Sequence, residues 1–191
     1  MIDFVKIGGD SMKARRKQLR FMGLSAMMAG VLCVLSPITL PVGMVPITLS
    51  VLALFLVATL APVRVALCAT AVYLAVGAVG LPVFSSFTGG FYAFVSPSGG
   101  FLWGYLPAVL ILSFLAQKGR RNVWLLPMGF LAALLVLYFF GCLGFCVLTG
   151  AGIKEALAVT VLPFLLLDLV KIIAVFLIFR ACQVKKFEIV C

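Results

Sequence analysis

The chain has 191 residues, of which 65% are hydrophobic and only 10% charged, yet its formal net charge is +10 and it contains no histidine. Its mean hydropathy is +1.31, and its apolar runs extend well beyond the roughly 10 to 14 residues of a soluble core helix. A water-soluble domain is therefore excluded. The expected class is all-α, a polytopic membrane protein of six transmembrane helices, because runs of this length satisfy their backbone in lipid as helices.

The spans are read at roughly 19–36, 45–61, 63–81, 100–117, 123–148 and 156–180. This divides the chain into a basic segment at 1–18, a six-helix membrane domain at 19–181 and a tail at 182–191. Thirteen of the fifteen cations lie before the first span, beside Arg64, at Lys118, Arg120 and Arg121, or at the C-terminal end, which is one side of a six-span protein. Lys154 alone falls on the other side. The positive-inside rule then places both termini in the cytoplasm, with 37–46, 80–105 and 149–155 facing outward. Trp124 reads as a cytoplasmic interface anchor. The first apolar run ends without a small-x-small cleavage site, so it is expected to be a retained helix rather than a signal peptide. Cations gathered on one membrane face suit anionic lipid and give no reason to invoke nucleic acid.

Taken in order, residues 1–18 form a basic arm at the membrane surface. In the first span Ser25, Ala26, Ala29 and Gly30 make two overlapping small-xxx-small pairs, a stripe on which another helix can pack closely. The connection 37–48 holds three prolines and two threonines, which suits an ordered loop or a lid. Tyr73, deep in the third span, needs a partner for its hydroxyl, either backbone or ligand.

Residues 80–105 carry six glycines, two prolines, many aromatics and no charge. Irregular backbone at membrane depth survives only where it packs on protein or lines a cavity, so this stretch is a candidate site wall. The six cysteines contain no CxxC and read as small apolar residues; Cys142 and Cys146, one turn apart, lack the further ligands a metal needs. In the last span Asp168 and Lys171 lie three residues apart on one helix face. Each costs about 2.5 to 3.5 kcal/mol at membrane depth on insertion scales. A buried pair contributes little net stability, so its presence points to use.

No P-loop pattern occurs, and with one intramembrane carboxylate and no histidine no base and nucleophile can be assembled. No catalytic residues, metal site or cofactor are expected, and the chain reads as a non-enzyme.

Four motifs in order carry a resemblance: Val45-Pro-Ile-Thr48, Gly80-Leu-Pro-Val-Phe84 with Thr88-Gly-Gly90, Ser96-Pro-Ser-Gly-Gly100-Phe, and Pro163 followed by Asp168 and Lys171. Together they resemble BioY, the biotin-binding S component of energy-coupling-factor (ECF) vitamin transporters. The resemblance spans nearly all of 20–180. It implies high-affinity biotin binding from the outer face, uptake with an integral scaffold protein and two cytoplasmic ATPases, and a first helix whose Ala26 and Gly30 meet the scaffold. It also implies that the loop ending at Thr48 gates the site.

A ureido ring offers two N–H donors and one acceptor, which suits Asp168 for an N–H and Lys171 for the carbonyl. The apolar part of the ligand would lie among Phe84, Phe87 and Tyr92. Ser85, Ser86, Thr88, Tyr92 and Ser98, with the free N–H groups of glycines such as Gly90 and Gly99, are the donors left for the ligand's carboxylate, because no Arg or Lys lies in 65–117. Tyr73 and Thr48 complete the expected binding set. Ser50 departs from the family, in which glutamine usually follows Pro-Ile-Thr. The residues alone leave open a facilitator, an S component for thiamine or riboflavin, and an intramembrane enzyme.

Overall fold

The computed structural model describes residues 2–40, 47–119 and 125–184, with side chains over 15–39, 48–119 and 125–181. Trp124, Arg120, Arg121 and loop residues 41–46 lie outside the described residues, as do the side chains of Lys6 and Lys13. Seven α-helices are present among the described residues: α1 (Ile2–Leu35), α2 (Ser50–Leu60), α3 (Val63–Ala78), α4 (Gly99–Gly119), α5 (Leu125–Thr149), α6 (Ile153–Thr160) and α7 (Leu162–Val184). The all-α expectation holds apart from an antiparallel ribbon of two short strands, β1 (Thr39–Leu40) and β2 (Ile47–Thr48), in which Thr39 faces Thr48.

Four stretches are long and apolar enough to cross a membrane: Arg15–Leu35, Gly99–Gly119, Leu125–Thr149 and Ile153–Ala181. The second predicted span is corrected. Its helix begins only at Ser50, because Ile47 and Thr48 are β-branched residues committed to the ribbon, which is prolonged by Leu49 N–H donating to the Ile38 carbonyl at 3.1 Å. The 11-residue helix that remains rises about 16 Å, short of a hydrocarbon core of about 30 Å. The last span is also corrected, since it is two helices broken at Val161. Pro163 lacks an N–H and sits in the first turn of α7, where no partner is needed.

Prolines set other boundaries in the same way. Ala61, before Pro62, is extended (φ −93°, ψ 153°), as the ring of a following proline requires, and Pro62 opens α3. This gives the tight turn expected at Arg64.

The described parts of the connections 36–49 and 79–98 meet at one end of the bundle, where the Thr39 and Ser86 hydroxyls share a 3.0 Å hydrogen bond. Arg64 and Lys118 are exposed at the opposite ends of their helices, and Lys118 lies 4.5 Å over the ring of Phe114. Several buried hydroxyls within the helices bond back to the preceding turn, as Thr59 does to the Phe55 carbonyl (2.8 Å) and Thr70 to that of Ala66 (2.8 Å). No polar group at those positions is left unpaired in an apolar setting.

Packing is tightest between α4 and α5. A Cβ on Gly100 would collide with the Phe140 carbonyl oxygen, and one on Gly144 would collide with the Gly100 backbone. Glycine is needed at both positions for the two backbones to approach this closely. The first helix packs on α3 and α2, burying Ser25 and Ala29, while Ala26 and Gly30 are exposed. The two small-residue pairs thus divide, one turned into the bundle and one turned away from it. Cys33, Cys68, Cys142 and Cys146 are unbridged and partly buried.

Candidate binding site

Seven structural segments converge on a cavity of about 590 Å³, counting its open mouth. Each helix supplies residues from a single face. Phe101, Leu102 and Tyr105 come from α4, Leu134, Leu137 and Tyr138 from α5, and Phe164, Asp168 and Lys171 from α7, each set including residues three or four apart that share one side of their helix. Thr48, Ser50 and Val51 enter from the ribbon and the start of α2, Tyr73 from α3, and Phe84, Ser85 and Ser98 from the irregular connection. None of the lining residues belongs to α1.

Asp168 and Lys171 are 1% and 7% exposed. Their side chains meet at 2.8 Å, and neither relies on the other alone. The second carboxylate oxygen of Asp168 accepts from the Tyr138 hydroxyl at 2.9 Å, and the Lys171 ammonium also donates to the Thr48 carbonyl at 2.8 Å. A buried ion pair needs such supporting bonds to offset desolvation. The cluster still has capacity left, because the carboxylate has lone pairs to spare and the ammonium one proton. It therefore presents an acceptor beside a donor, in a cavity otherwise lined by aromatic, aliphatic and hydroxyl groups.

An aromatic chain forms the wall above. Phe84 is 1% exposed, packs edge-on against Tyr73 (5.5 Å) and Phe94 (5.6 Å), and its ring covers Gly77, where any side chain would collide with it. Tyr73 stacks on Tyr105 at 6.4 Å and donates its hydroxyl to the Val83 carbonyl at 3.2 Å, which settles its partner as backbone. Beyond Phe84 the chain turns through Ser86 (φ 56°) and Phe87 (φ 57°). Two consecutive side-chain-bearing residues in the left-handed region cost on the order of 1 to 3 kcal/mol each, and such strain concentrates at ligand sites.

The expected residues divide into two groups. Thr48, Tyr73, Phe84, Ser85, Asp168 and Lys171 come together around the cavity. Thr88, Gly90, Tyr92 and Gly99 do not line it. The Thr88 hydroxyl bonds the Ser85 carbonyl at 2.8 Å, Gly90 N–H bonds the Gly77 carbonyl at 2.7 Å and Gly99 N–H that of Ser96 at 2.7 Å, while Tyr92 is 79% exposed. Thr88, Gly90 and Gly99 thus hold the connection to itself and to α3. The sequence reading passed over Tyr138, Tyr105, Phe101 and Phe164. The first two carry hydroxyls within apolar spans, the same signal that singled out Tyr73.

Known proteins resemble this chain in sequence and in fold. The family model described as "BioY family" matches residues 11–186. The chain is 37% identical over 154 residues to the biotin transporter BioY of Thermotoga maritima, covering 80% of this chain and 88% of that one. It is 34% identical over 153 residues to the biotin transporter BioY2 of Lactococcus lactis, covering 80% and 84%. A crystal structure of the S-component for biotin from an ECF-type ABC transporter superposes with a TM-score of 0.79, at 23% identity over 88% of this chain and 93% of that one, so the two share a fold. With a family match over almost its full length and relatives above 30% identity, this membrane protein belongs to the BioY family.

Proposed function

We propose that the chain is the substrate-capture (S) subunit of an ECF-type vitamin transporter, binding biotin with high affinity for uptake and performing no chemistry on it. The observation that carries this reading is the buried Asp168–Lys171 pair at 2.8 Å, steadied by Tyr138 and facing an aromatic cavity. It suits a ring that offers N–H donors and a carbonyl on one edge and hydrocarbon elsewhere. In this reading Asp168 accepts a ureido N–H, Lys171 donates to the ureido oxygen, and Phe84, Tyr73, Tyr105 and Phe101 enclose the rings and chain. Thr48 and Ser85 stand at the rim, and Thr88, Gly90, Tyr92 and Gly99 keep the wall in shape.

The cell membrane is the proposed location. The cavity end faces outward and both termini face the cytoplasm, as the exposed cations at the far end favour. The basic segment 1–18 then meets anionic lipid at the inner surface, and 182–191 is a cytoplasmic tail. The partners are a membrane scaffold protein and two cytoplasmic ATPases, and the exposed Ala26 and Gly30 of α1 form the face on which the scaffold helix packs.

Competition binding tests the ligand. Tritiated biotin held by the purified protein should be displaced by unlabelled biotin and not by thiamine or riboflavin. Displacement by either of those vitamins at equal concentration would overturn the assignment.

A further inference from the structure

The cavity's charge is self-contained. Among the described residues its lining holds one carboxylate, Asp168, and one ammonium, Lys171, already 2.8 Å apart. The pair sums to zero, so this part of the cavity matches a neutral group with adjacent donors and acceptors. An anionic group placed on Lys171 would stand against the Asp168 carboxylate, at a separation where like charges disfavour each other. The ligand's own carboxylate is therefore directed away from the pair.

Among the described residues no cation other than Lys171 lines the cavity. Across residues 21–117 the sequence contains one, Arg64, which lies at the other end of the bundle. Residues 41–46 read Pro-Val-Gly-Met-Val-Pro and carry no ionisable group. Lys154 stands at the start of α6, exposed and absent from the lining. What the rest of the lining does offer is the hydroxyls of Thr48, Ser50, Ser85 and Ser98, the last sharing a 3.2 Å hydrogen bond with Ser96. Hydroxyls bond an amide or an ester about as readily as a carboxylate, and a carboxylate left at a wet mouth keeps its hydration.

We infer that this site does not select for the ligand's free acid: its specificity resides in the ureido head and the apolar rings, and it accepts neutral carboxyl derivatives of biotin alongside biotin itself. This inference rests on the biotin-capture reading and narrows it to a substrate class.

The test is equilibrium binding of biotin, biotinamide and biotin methyl ester to the purified full-length protein. The expected dissociation constants of the two neutral compounds lie within about fivefold of that of biotin, whereas loss of a charge-assisted hydrogen bond would weaken binding on the order of a hundredfold. Ser98→Arg, or Ser85→Arg if the first is poorly expressed, should create a preference for biotin over biotinamide of about tenfold or more. Lys154→Gln should leave both constants unchanged. A hundredfold penalty for biotinamide in the wild-type protein would overturn the inference while leaving biotin capture intact, as would a Lys154→Gln variant that loses biotin but not biotinamide. Failure to bind biotin at all would overturn the capture reading and this inference together.

Discussion

The Lys171 ammonium, on the last helix, donates to the backbone carbonyl of Thr48, 2.8 Å away and 123 residues earlier in the chain. One side chain thereby connects the charged floor of the cavity to the ribbon beside its rim. The ribbon has a second tether on the opposite strand, where Thr39 meets Ser86 at 3.0 Å. A ligand that draws on the Lys171 ammonium also bears on the bond that holds Thr48.

Replacing Lys171 by methionine keeps much of the side-chain volume and removes both bonds. Asp168 is then a buried carboxylate with Tyr138 as its remaining donor, a loss expected to cost about 3 to 5 kcal/mol. Thermal unfolding in detergent should show a lowered Tm, and hydrogen exchange should quicken at the amide of Leu49, whose bond to the Ile38 carbonyl depends on the ribbon. Unchanged exchange at Leu49 would mean that the Lys171 tether does not hold the ribbon.

Two of the three tyrosines that line the cavity have their hydroxyls differently engaged. Tyr138 donates to the Asp168 carboxylate at 2.9 Å and Tyr73 to the neutral Val83 carbonyl at 3.2 Å. Hydrogen bonds to charged groups contribute about 1.5 to 3 kcal/mol and neutral ones about 0.5 to 1.5. Tyr138→Phe should therefore weaken biotin binding about tenfold or more and Tyr73→Phe by less. Calorimetric titration of the two variants decides it, and equal losses would count against Tyr138 as the residue that positions Asp168.

Much of this was legible in the sequence, for physical reasons that can be named. Asp168 and Lys171 stood out because charge in lipid is costly, and Phe84 and Ser85 because an uncharged, glycine-rich segment at membrane depth must line or fill something. What the sequence concealed depends on contacts between distant segments. Nothing local marks Tyr138 as the partner of Asp168, because that pairing exists only once α5 and α7 are side by side. The start of α2 was placed too early because Val45 to Thr48 is as apolar as a helix; pairing of Thr48 with Thr39 outweighs hydropathy there. Thr88, Gly90 and Gly99 were named for their N–H and hydroxyl groups, which the fold spends on backbone carbonyls of its own.

Glycine at the α4–α5 contact has no tolerated replacement. A methyl group on Gly144 would meet the Gly100 backbone, which cannot move aside as a flexible side chain would. Gly144→Ala should destabilise the protein by about 1 to 3 kcal/mol, the usual range for overpacking, seen as a lower Tm. An unchanged Tm would mean the two helices can separate without loss.

On the proposed reading, the outward pair on α1 serves assembly and not capture. At Gly30 there is nothing within 4 Å of where a side chain would begin, so Gly30→Leu should fold normally and bind biotin with unchanged affinity. Co-purification with the scaffold protein and ATPases should drop at least tenfold, because a leucine holds the partner helix away. Normal assembly in this variant would move the docking face elsewhere.

The central claim is that the Asp168–Lys171 cluster captures biotin. Equilibrium dialysis of tritiated biotin against the purified wild-type protein and its Asp168→Asn and Ser85→Ala variants tests it most directly. The account predicts nanomolar binding to the wild type, a loss of about a hundredfold in Asp168→Asn, where a buried charged acceptor is removed, and a far smaller loss in Ser85→Ala. Absence of biotin binding by the wild type, or equal affinity in the two variants, would contradict it.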